Sequence, residues 1–208
     1  MGYWRAGFEV IGFDIRPQPR YPFQFYQTDA LGLVKDWSWL EQADAAHLSP
    51  PCQAFTKLRT LGGVSSNPDM DLLEVLPAME GWHKPYAIEN VEYAPMGKPT
   101  YHLCGSMFPA LVARNGTRQL RRHRQFKVNF EIPRLACQHN GLKTIGVYGD
   151  LGFVGPPPSY IEYPRDLGEA NRLMGINWMK WWELKEAIPP AYTRWVGTHM
   201  LASMSSPG

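Results

Sequence analysis

The sequence predicts an α/β fold in which helices pack on a mainly parallel sheet, and two observations support this fold class. Short apolar segments typical of buried strands alternate along the chain with segments patterned as helices. Polar residues directly follow three of these strands, and α/β folds place their chemistry at the carboxyl ends of strands. The 208 residues are enough for one domain with a hydrophobic core.

The first half of the chain supplies the predicted parallel strands. Residues 2–8 are typical of the last turns of a helix closed by Gly7 at the C′ position. Three apolar segments that end in polar residues or proline are predicted as buried strands: 10–15, 43–51 and 84–91. Between the last two, residues 67–83 predict a helix capped by Asn67, with Pro77 expected to kink or interrupt it.

The second half predicts one alternating strand, an irregular insertion and two helices. Residues 126–132 alternate strictly between apolar and polar side chains, which predicts a strand with one buried face. Glycine and proline interrupt residues 133–164, so we expect an irregular insertion there. Residues 164–175 and 189–201 are patterned as helices, the latter beginning at Pro190.

Composition excludes several classes of protein. The hydrophobic fraction of 44% is unlike that of a disordered chain, and no apolar run is long enough to span a membrane. The N-terminus lacks the pattern of a secretory signal. The three cysteines are few and odd in number, which does not suit a disulfide framework. We therefore expect a cytoplasmic protein, in a bacterium or a phage-infected host cell.

The segment SPPCQAF at 49–55 places a cysteine directly after two prolines. A free cysteine is usually a small buried hydrophobic residue. At the end of a predicted strand, however, Pro50 and Pro51 would hold the Cys52 sulfur in a fixed and accessible position, which suits a nucleophile. The sequence leaves both interpretations open.

Glu89 and Asn90 end the predicted strand 84–91. Such a pair is usually a cap or a turn. In a dry cleft, desolvation favours the protonated form of a carboxyl group, which could then donate a proton to a substrate nitrogen. Asn90 could orient that carboxyl group or hydrogen-bond a base edge.

Positive charge is concentrated between Tyr93 and Phe130, a stretch without Asp or Glu, although the net charge of the whole chain is only +2. Such runs are usually solvated faces. Here the concentration favours a polyanionic partner, most simply a nucleic-acid backbone. The seven cations are Lys98, Arg114, Arg118, Arg121, Arg122, Arg124 and Lys127.

Two further short patterns combine histidine and cysteine. His102 with Cys104 is an H-x-C pair, and Cys137 with His139 is a C-x-H pair. Their spacing matches no common zinc finger, so the sequence favours loop and core residues and no metal, with a zinc site as the open alternative.

Taken together, these pieces resemble the DNA cytosine-5 methyltransferase family, most closely its small bacterial and phage members. Each piece alone is weak, but the series in this order is specific. The pieces are Asp14 after a strand, Asp29 in QTDAL, PPCQAF at 50–55, ENV at 89–91, the R-x-R triplet 122–124 and RDLGEANRLMG at 165–175. The likeness covers roughly residues 2–197 outside the insertion.

The resemblance implies a Rossmann-like methyltransferase sheet that binds S-adenosylmethionine. Residues 1–132 would form the first part of the catalytic domain, 133–164 a small target-recognition insertion, and 165–208 the helices that complete the catalytic domain. The enzyme would act as a monomer on double-stranded DNA and flip the target cytosine out of the duplex.

The resemblance also implies roles for individual residues. Cys52 would attack carbon 6 of the cytosine, and Glu89, beside Asn90, would protonate or hydrogen-bond nitrogen 3. Arg124 would contact the cytosine oxygen or hold the thiol loop, with Arg122 bracing it. The cofactor would be held by Asp14 at the ribose hydroxyls, Asp29 at the adenine amino group, and by Ile15, Ala30 and Pro51.

Two alternatives to this activity remain open from the sequence. Members of the family begin with a strand and a glycine-rich loop, whereas Met1 here falls where the following helix should already run. The chain would then be an N-terminally truncated, catalytically weak or inactive DNA-binding remnant. A base-modifying enzyme that uses the same cysteine attack but adds a different one-carbon unit is the second alternative.

Overall fold

The structure is a computed structural model, and it describes residues 1–37, 39–52, 72–112, 117–139, 141–149 and 161–205. The chain divides into two compact units. Unit 1 contains Met1–Glu9, Leu103–His123 and Arg134–Thr198. Unit 2 contains Val10–His102, Arg124–Pro133 and His199–Gly208.

The described residues contain both helices and strands, which alternate in the first half of the chain, so the predicted α/β class is confirmed at this coarse level. The helices are α1 Gly2–Ala6, α2 Ala30–Asp36, α3 Leu72–Glu80, α4 Leu167–Met174, α5 Trp181–Leu184 and α6 Pro190–Ser205. The strands are β1 Ile11–Asp14, β2 Gln24–Gln27, β3 Ala46–Leu48, β4 Tyr86–Val91, β5 Tyr101–Leu103, β6 Arg118–Leu120, β7 Arg124–Val128, β8 Lys143–Ile145 and β9 Ile161–Glu162.

The strands of the described residues form three sheets. One contains the parallel pair β1–β2, a second has the order β3-β4-β7-β5, and a third has the order β6-β8-β9. Strand β3 is parallel to β4, whereas β4 and β7 are antiparallel. A single Rossmann-like sheet therefore stays a proposal, as do the domain boundaries predicted from the sequence.

The core of unit 2 forms where α3 packs on the sheet. Leu72, Val75 and Met79 lie three or four residues apart along α3 and are all almost fully buried. They belong to one apolar cluster with Leu48 of β3 and Ile88 of β4. This packing fixes the carboxyl ends of β3 and β4, from which the candidate site is built.

Unit 1 is held together partly by a buried arginine. Arg118 of β6 is 8% exposed, and its guanidinium pairs with Glu162 of β9 and with Glu169 of α4. A buried charge is tolerated only when it is paired in this way. Arg118 thus links two strands and a helix of the same unit.

Several predicted elements agree with the structure, and two differ. Gly7 and Gly175 end α1 and α4 with φ of 112° and 68°, a backbone region that favours glycine. Helix α3 runs through Pro77 to Glu80, so the proline does not interrupt it. The predicted strand 126–132 instead spans Arg124–Val128, because its pairing with β4 runs from Arg124 opposite Val91 to Val128 opposite Ala87.

His47 on β3 predicts a pH dependence of stability. Burial lowers the pKa of its imidazole from 6.5 to about 4. The unfolded chain therefore binds a proton that the folded chain does not, and the free energy of unfolding falls as the pH drops from 6.5 toward 4. Between pH 7 and pH 5 we expect a loss of up to about 2 kcal/mol from this residue.

Urea unfolding at pH 7 and pH 5 measures this effect. His47→Gln should reduce the loss of stability on acidification, whereas His83→Gln, at an exposed position, should not. The prediction fails if both variants retain the pH dependence of the original chain.

Among the described residues, none of the helices combines the length and the apolar character needed to cross a bilayer.

Candidate active site

The carboxyl ends of β3 and β4 bring the Pro-Pro-Cys turn beside Glu89 and Asn90. The two strands are parallel with Leu48 opposite Ile88, so the residues after each strand emerge at the same edge of the sheet. Asn90 is 1% exposed, and its side-chain amide donates a hydrogen bond of 3.1 Å to the Pro50 carbonyl. Its side-chain oxygen accepts from the Val91 backbone N–H at 2.8 Å. Asn90 is thus fixed at both ends and ties the turn to β4.

Cys52 follows this turn and is partly exposed. Pro50 and Pro51 lack backbone N–H groups, so the turn cannot be held by ladder hydrogen bonds from these two residues. The hydrogen bond from Asn90 to the Pro50 carbonyl supplies an anchor instead. The rest of the predicted motif, Gln53 to Phe55, lies outside the described residues.

Glu89 forms a buried ion pair with Arg124 across the antiparallel pair β4–β7. Arg124 lies opposite Val91 in the register, and Glu89 shares the face of Val91 two residues away. The Arg124 Nε lies 2.8 Å from Glu89 Oε1, and the side chains are 16% and 7% exposed. The structure therefore brings together two of the predicted site residues that are 35 positions apart in the chain.

Arg122 has different partners, all within unit 1. Its guanidinium donates to the Val147 carbonyl at 2.8 Å and to the Lys185 carbonyl at 2.6 Å, and its own carbonyl accepts from the Tyr192 hydroxyl at 2.7 Å. Arg122 is 4% exposed. Arg122 therefore holds backbone segments in place, and no local pattern in the sequence indicates which segments it joins.

The predicted cofactor residues lie at the carboxyl ends of β1 and β2. These strands are parallel with Asp14 opposite Gln27, so Asp14 and Asp29 follow the same sheet edge. Asp14 accepts hydrogen bonds from the Arg16 backbone N–H at 2.8 Å and from the Gln18 side chain at 3.0 Å. Asp29 caps α2 by accepting from the Leu31 N–H at 3.0 Å, so the structure gives this carboxylate a local role as well.

The other three predicted cofactor residues are apolar: Ile15, Ala30 and Pro51. Ile15 directly follows Asp14 and is 65% exposed, which is unusual for an isoleucine. Pro51 is also exposed. Ala30, which follows Asp29, is the first residue of α2. An exposed apolar side chain beside a carboxylate is suited to a ligand that combines a flat ring with hydroxyl groups.

The structure assigns much of the predicted positive stretch to internal contacts. Four of its seven cations have partners within their own unit: Arg118, Arg122, Arg124 and Lys127. Lys98 is exposed, and Arg114 lies outside the described residues. The stretch is therefore not one continuous basic face, because most of its charge is neutralised or hydrogen-bonded inside the protein.

A second group of reactive side chains lies in unit 1. The ligand atoms of Cys104, His123, Cys137 and His139 all lie within 4.8 Å of one another. The sequence had paired Cys104, Cys137 and His139 with His102, but His102 is an exposed residue of β5 and His123 takes its place.

The two thiols of this group have opposite acidities. Burial raises the pKa of the Cys104 thiol, but hydrogen bonds with His123, Ser106 and His139 outweigh burial and lower its pKa to about 5. Burial raises the pKa of the Cys137 thiol, and the negative charge of a Cys104 thiolate raises it further. The two thiols therefore lose their protons one after the other.

Comparison with known proteins gives little further information. No family model matches the chain, and no curated protein matches it. Among solved structures, it is similar to a variant of DNMT2 from Spodoptera frugiperda, with 15% sequence identity and a TM-score of 0.39. The match covers 78% of this chain and 50% of that one, so the chain spans about half the length of the structure that it matches. A TM-score this low establishes neither a family nor a shared activity.

Proposed function

We propose that this protein transfers a methyl group from S-adenosylmethionine to carbon 5 of cytosine in double-stranded DNA. The observation that carries the proposal is the edge of the unit 2 sheet, where Asn90 ties the Pro-Pro-Cys turn to β4 and Glu89 pairs with Arg124. A thiol, a carboxyl group and a guanidinium from segments that meet at one edge of a sheet are the groups that a covalent attack on a pyrimidine requires.

In the proposed reaction, the Cys52 thiolate forms a bond to carbon 6 of a flipped-out cytosine, and the ring electrons move toward nitrogen 3 and carbon 5. Glu89 protonates or hydrogen-bonds nitrogen 3, which neutralises the negative charge that develops there. The carboxylate that remains is stabilised by Arg124 at 2.8 Å. Carbon 5 would then take the methyl group as its bond to the sulfonium sulfur breaks and leaves a thioether. Water would accept the proton lost from carbon 5, the Cys52 thiolate would leave carbon 6, and the proton on nitrogen 3 would return to Glu89.

The residues after β1 and β2 fit the adenosine half of the proposed cofactor. Asp14 would accept hydrogen bonds from ribose hydroxyls, Asp29 from the adenine amino group, and the exposed Ile15 would pack on the purine ring. Ala30 and Pro51 would complete the contact. When bound, S-adenosylmethionine supplies an electrophilic methyl group.

Positioning residues complete the proposal. Asn90 holds the thiol turn, and Arg122 fixes the start of the R-x-R triplet through the carbonyls of Val147 and Lys185. We assign DNA recognition to the segment 133–164 and catalysis to 1–132 and 165–208, as the resemblance implies. Residues 150–160 of the recognition segment lie outside the described residues.

Methyl transfer can be tested directly with the purified chain. We expect labelled S-adenosylmethionine to transfer its methyl group to a cytosine-containing duplex and to give 5-methylcytosine after digestion to nucleosides. A duplex in which every cytosine is already 5-methylated is the matched control and should accept no label.

The same assay separates the proposal from its alternatives. DNA binding without any transfer would contradict the proposed activity and identify a DNA-binding remnant. A nucleoside product other than 5-methylcytosine would contradict the proposed methyl transfer and favour a different one-carbon unit.

A further inference from the structure

One inference does not depend on the proposed methyl transfer. It concerns a group of four side chains: Cys104, His123, Cys137 and His139. Its four members come from three separate parts of unit 1: the residue after β5, the residue before β7, and the segment between β7 and β8. Each residue offers one ligand atom, and the four atoms lie within 4.8 Å of one another. We propose that these residues bind one zinc ion in a closed structural site.

The distances between the ligand atoms match those around a tetrahedral zinc ion. Bonds of about 2.3 Å to sulfur and about 2.05 Å to nitrogen place a sulfur and a nitrogen ligand about 3.6 Å apart. Cys104 Sγ lies 3.4 Å from His139 Nε2, and Cys137 Sγ lies 3.5 Å from His123 Nε2. Cys137 Sγ and His139 Nε2 are 2.9 Å apart and must separate by about 0.7 Å, which the exposed side chains of both residues allow.

Apolar packing does not explain why these side chains converge. Cys137 and His139 are exposed, and they lie in a segment, 129–142, that forms no helix or strand among its described residues. Ordering such a segment costs conformational entropy that buried hydrophobic surface at these two positions does not repay. Metal binding is a source of free energy that orders segments of this kind.

The ligand types select the metal. Two thiolates and two imidazoles in a tetrahedron favour zinc, whereas calcium and magnesium require oxygen ligands. Four protein ligands also leave no open coordination position for a water or a substrate, so the site is structural.

Ser106 completes the site as a hydrogen-bond partner of the two thiol ligands. Its hydroxyl oxygen accepts a hydrogen bond from the Gln138 N–H at 3.1 Å and lies 3.3 Å from Cys137 Sγ. Ser106 also hydrogen-bonds with Cys104, so its single hydroxyl proton can be donated to either of the two thiolates. A hydroxyl that donates to a metal-bound thiolate stabilises its negative charge and fixes its orientation.

The site would secure the segment around Cys137 and His139 to the 104–106 turn. It would also hold His123, which lies between Arg122 and Arg124 in the chain. Zinc would therefore determine the local structure at the centre of the R-x-R triplet and at the start of the 133–164 insertion.

Metal content and cobalt spectroscopy test this inference. The chain, purified with zinc and dialysed, should retain about one zinc ion per molecule, and the cobalt-substituted chain should show the visible bands of tetrahedral coordination with a thiolate-to-cobalt transition. Cys137→Ser and His139→Asn should each weaken zinc binding by at least about 100-fold, since even partners that only orient a ligand contribute 10–100-fold. Ser106→Ala should weaken it by about 10-fold.

His102→Asn is the matched control, because it removes an exposed histidine two residues from Cys104 that does not belong to the group. This variant should retain full zinc content and the cobalt spectrum of the original chain. Equal loss of zinc from His102→Asn would overturn the assignment of ligands.

Two measurements on the original chain keep the inference testable even if the ligand variants fail to fold. A zinc content near zero after purification with zinc, or a cobalt spectrum without the thiolate transition, would overturn it. A disulfide between Cys104 and Cys137 in chain that was kept under reducing conditions would do the same. A fall in the unfolding temperature when a zinc chelator is added supports it.

Discussion

Replacing Cys52 by serine is expected to reduce methyl transfer by at least about 10³-fold while leaving the fold and the DNA affinity nearly unchanged. Serine has almost the size of cysteine, so the Pro-Pro turn and its hydrogen bond from Asn90 remain possible. A hydroxyl group is a far weaker nucleophile than a thiolate at neutral pH, and no covalent adduct would form at carbon 6. The loss should therefore appear in kcat rather than in DNA binding.

Transfer of label to duplex DNA and the unfolding temperature, measured on the same preparations, check this result. A duplex with 5-fluorocytosine at the target position adds a covalent readout, because fluorine cannot leave carbon 5 as a proton does. The original chain should form a stable protein–DNA adduct with this duplex in the presence of S-adenosylmethionine, and Cys52→Ser should form none.

Ser49→Ala is the matched control for this experiment, since it removes a polar group from an exposed position of the same turn. It should retain transfer and adduct formation. If Cys52→Ser instead unfolds the protein, or if it transfers methyl groups as well as the original chain does, Cys52 is a structural residue and the proposed reaction is wrong.

Replacing Glu89 by glutamine is expected to have the second largest effect, a loss of about 10²–10⁴-fold in methyl transfer. Glutamine can still hydrogen-bond, but it cannot donate a proton to nitrogen 3 as a carboxyl group can. The variant also leaves the buried Arg124 without its counter-charge at 2.8 Å, which should lower the free energy of unfolding by up to about 3 kcal/mol.

A double variant separates the loss of chemistry from the loss of stability. In Glu89→Gln with Arg124→Gln, both charges are absent, so stability should partly return while methyl transfer does not. Glu80→Gln is the matched control. It breaks a more exposed ion pair, which joins Glu80 to Lys127, a residue of the same strand β7 as Arg124. Such exposed pairs contribute little to stability, so the free energy of unfolding should change by only a few tenths of a kcal/mol. Methyl transfer should stay nearly unchanged.

Recovery of methyl transfer in the double variant would contradict a chemical role for Glu89. It would show that an unpaired Arg124 causes the defect of the single variant, and Glu89 would then be only the structural partner of that arginine.

Much of the candidate site could be predicted from local sequence, because its residues follow strands. Glu89 and Asn90 end an apolar run, and Asp14 ends another, so their place at a sheet edge follows from the rule for parallel strands. The positive stretch is the instructive exception. Its charge density predicted a polyanion-binding face, but acidic or carbonyl partners from elsewhere in the chain occupy Arg118, Arg122, Arg124 and Lys127.

The cysteine and histidine group also shows that local sequence does not predict which distant residues come together. The H-x-C and C-x-H pairs drew attention to His102 because it is close to Cys104 in the chain. Alternate residues of a strand share a face, but Cys104 lies beyond the end of β5 and His102 lies within it. His123 completes the group from 19 residues away, a distance over which spacing alone has no predictive value.

Local sequence was enough to predict the α/β class, the strand ends that carry polar side chains, and the glycine that closes α1. These features depend on residues within a few positions of one another, through periodicity and backbone conformation. Three contacts became visible only in the folded chain: Arg124 pairs with Glu89, Asn90 holds Pro50, and His123 joins the two cysteines. Those contacts depend on which strands pair and in what register, and such pairing is a property of the whole chain.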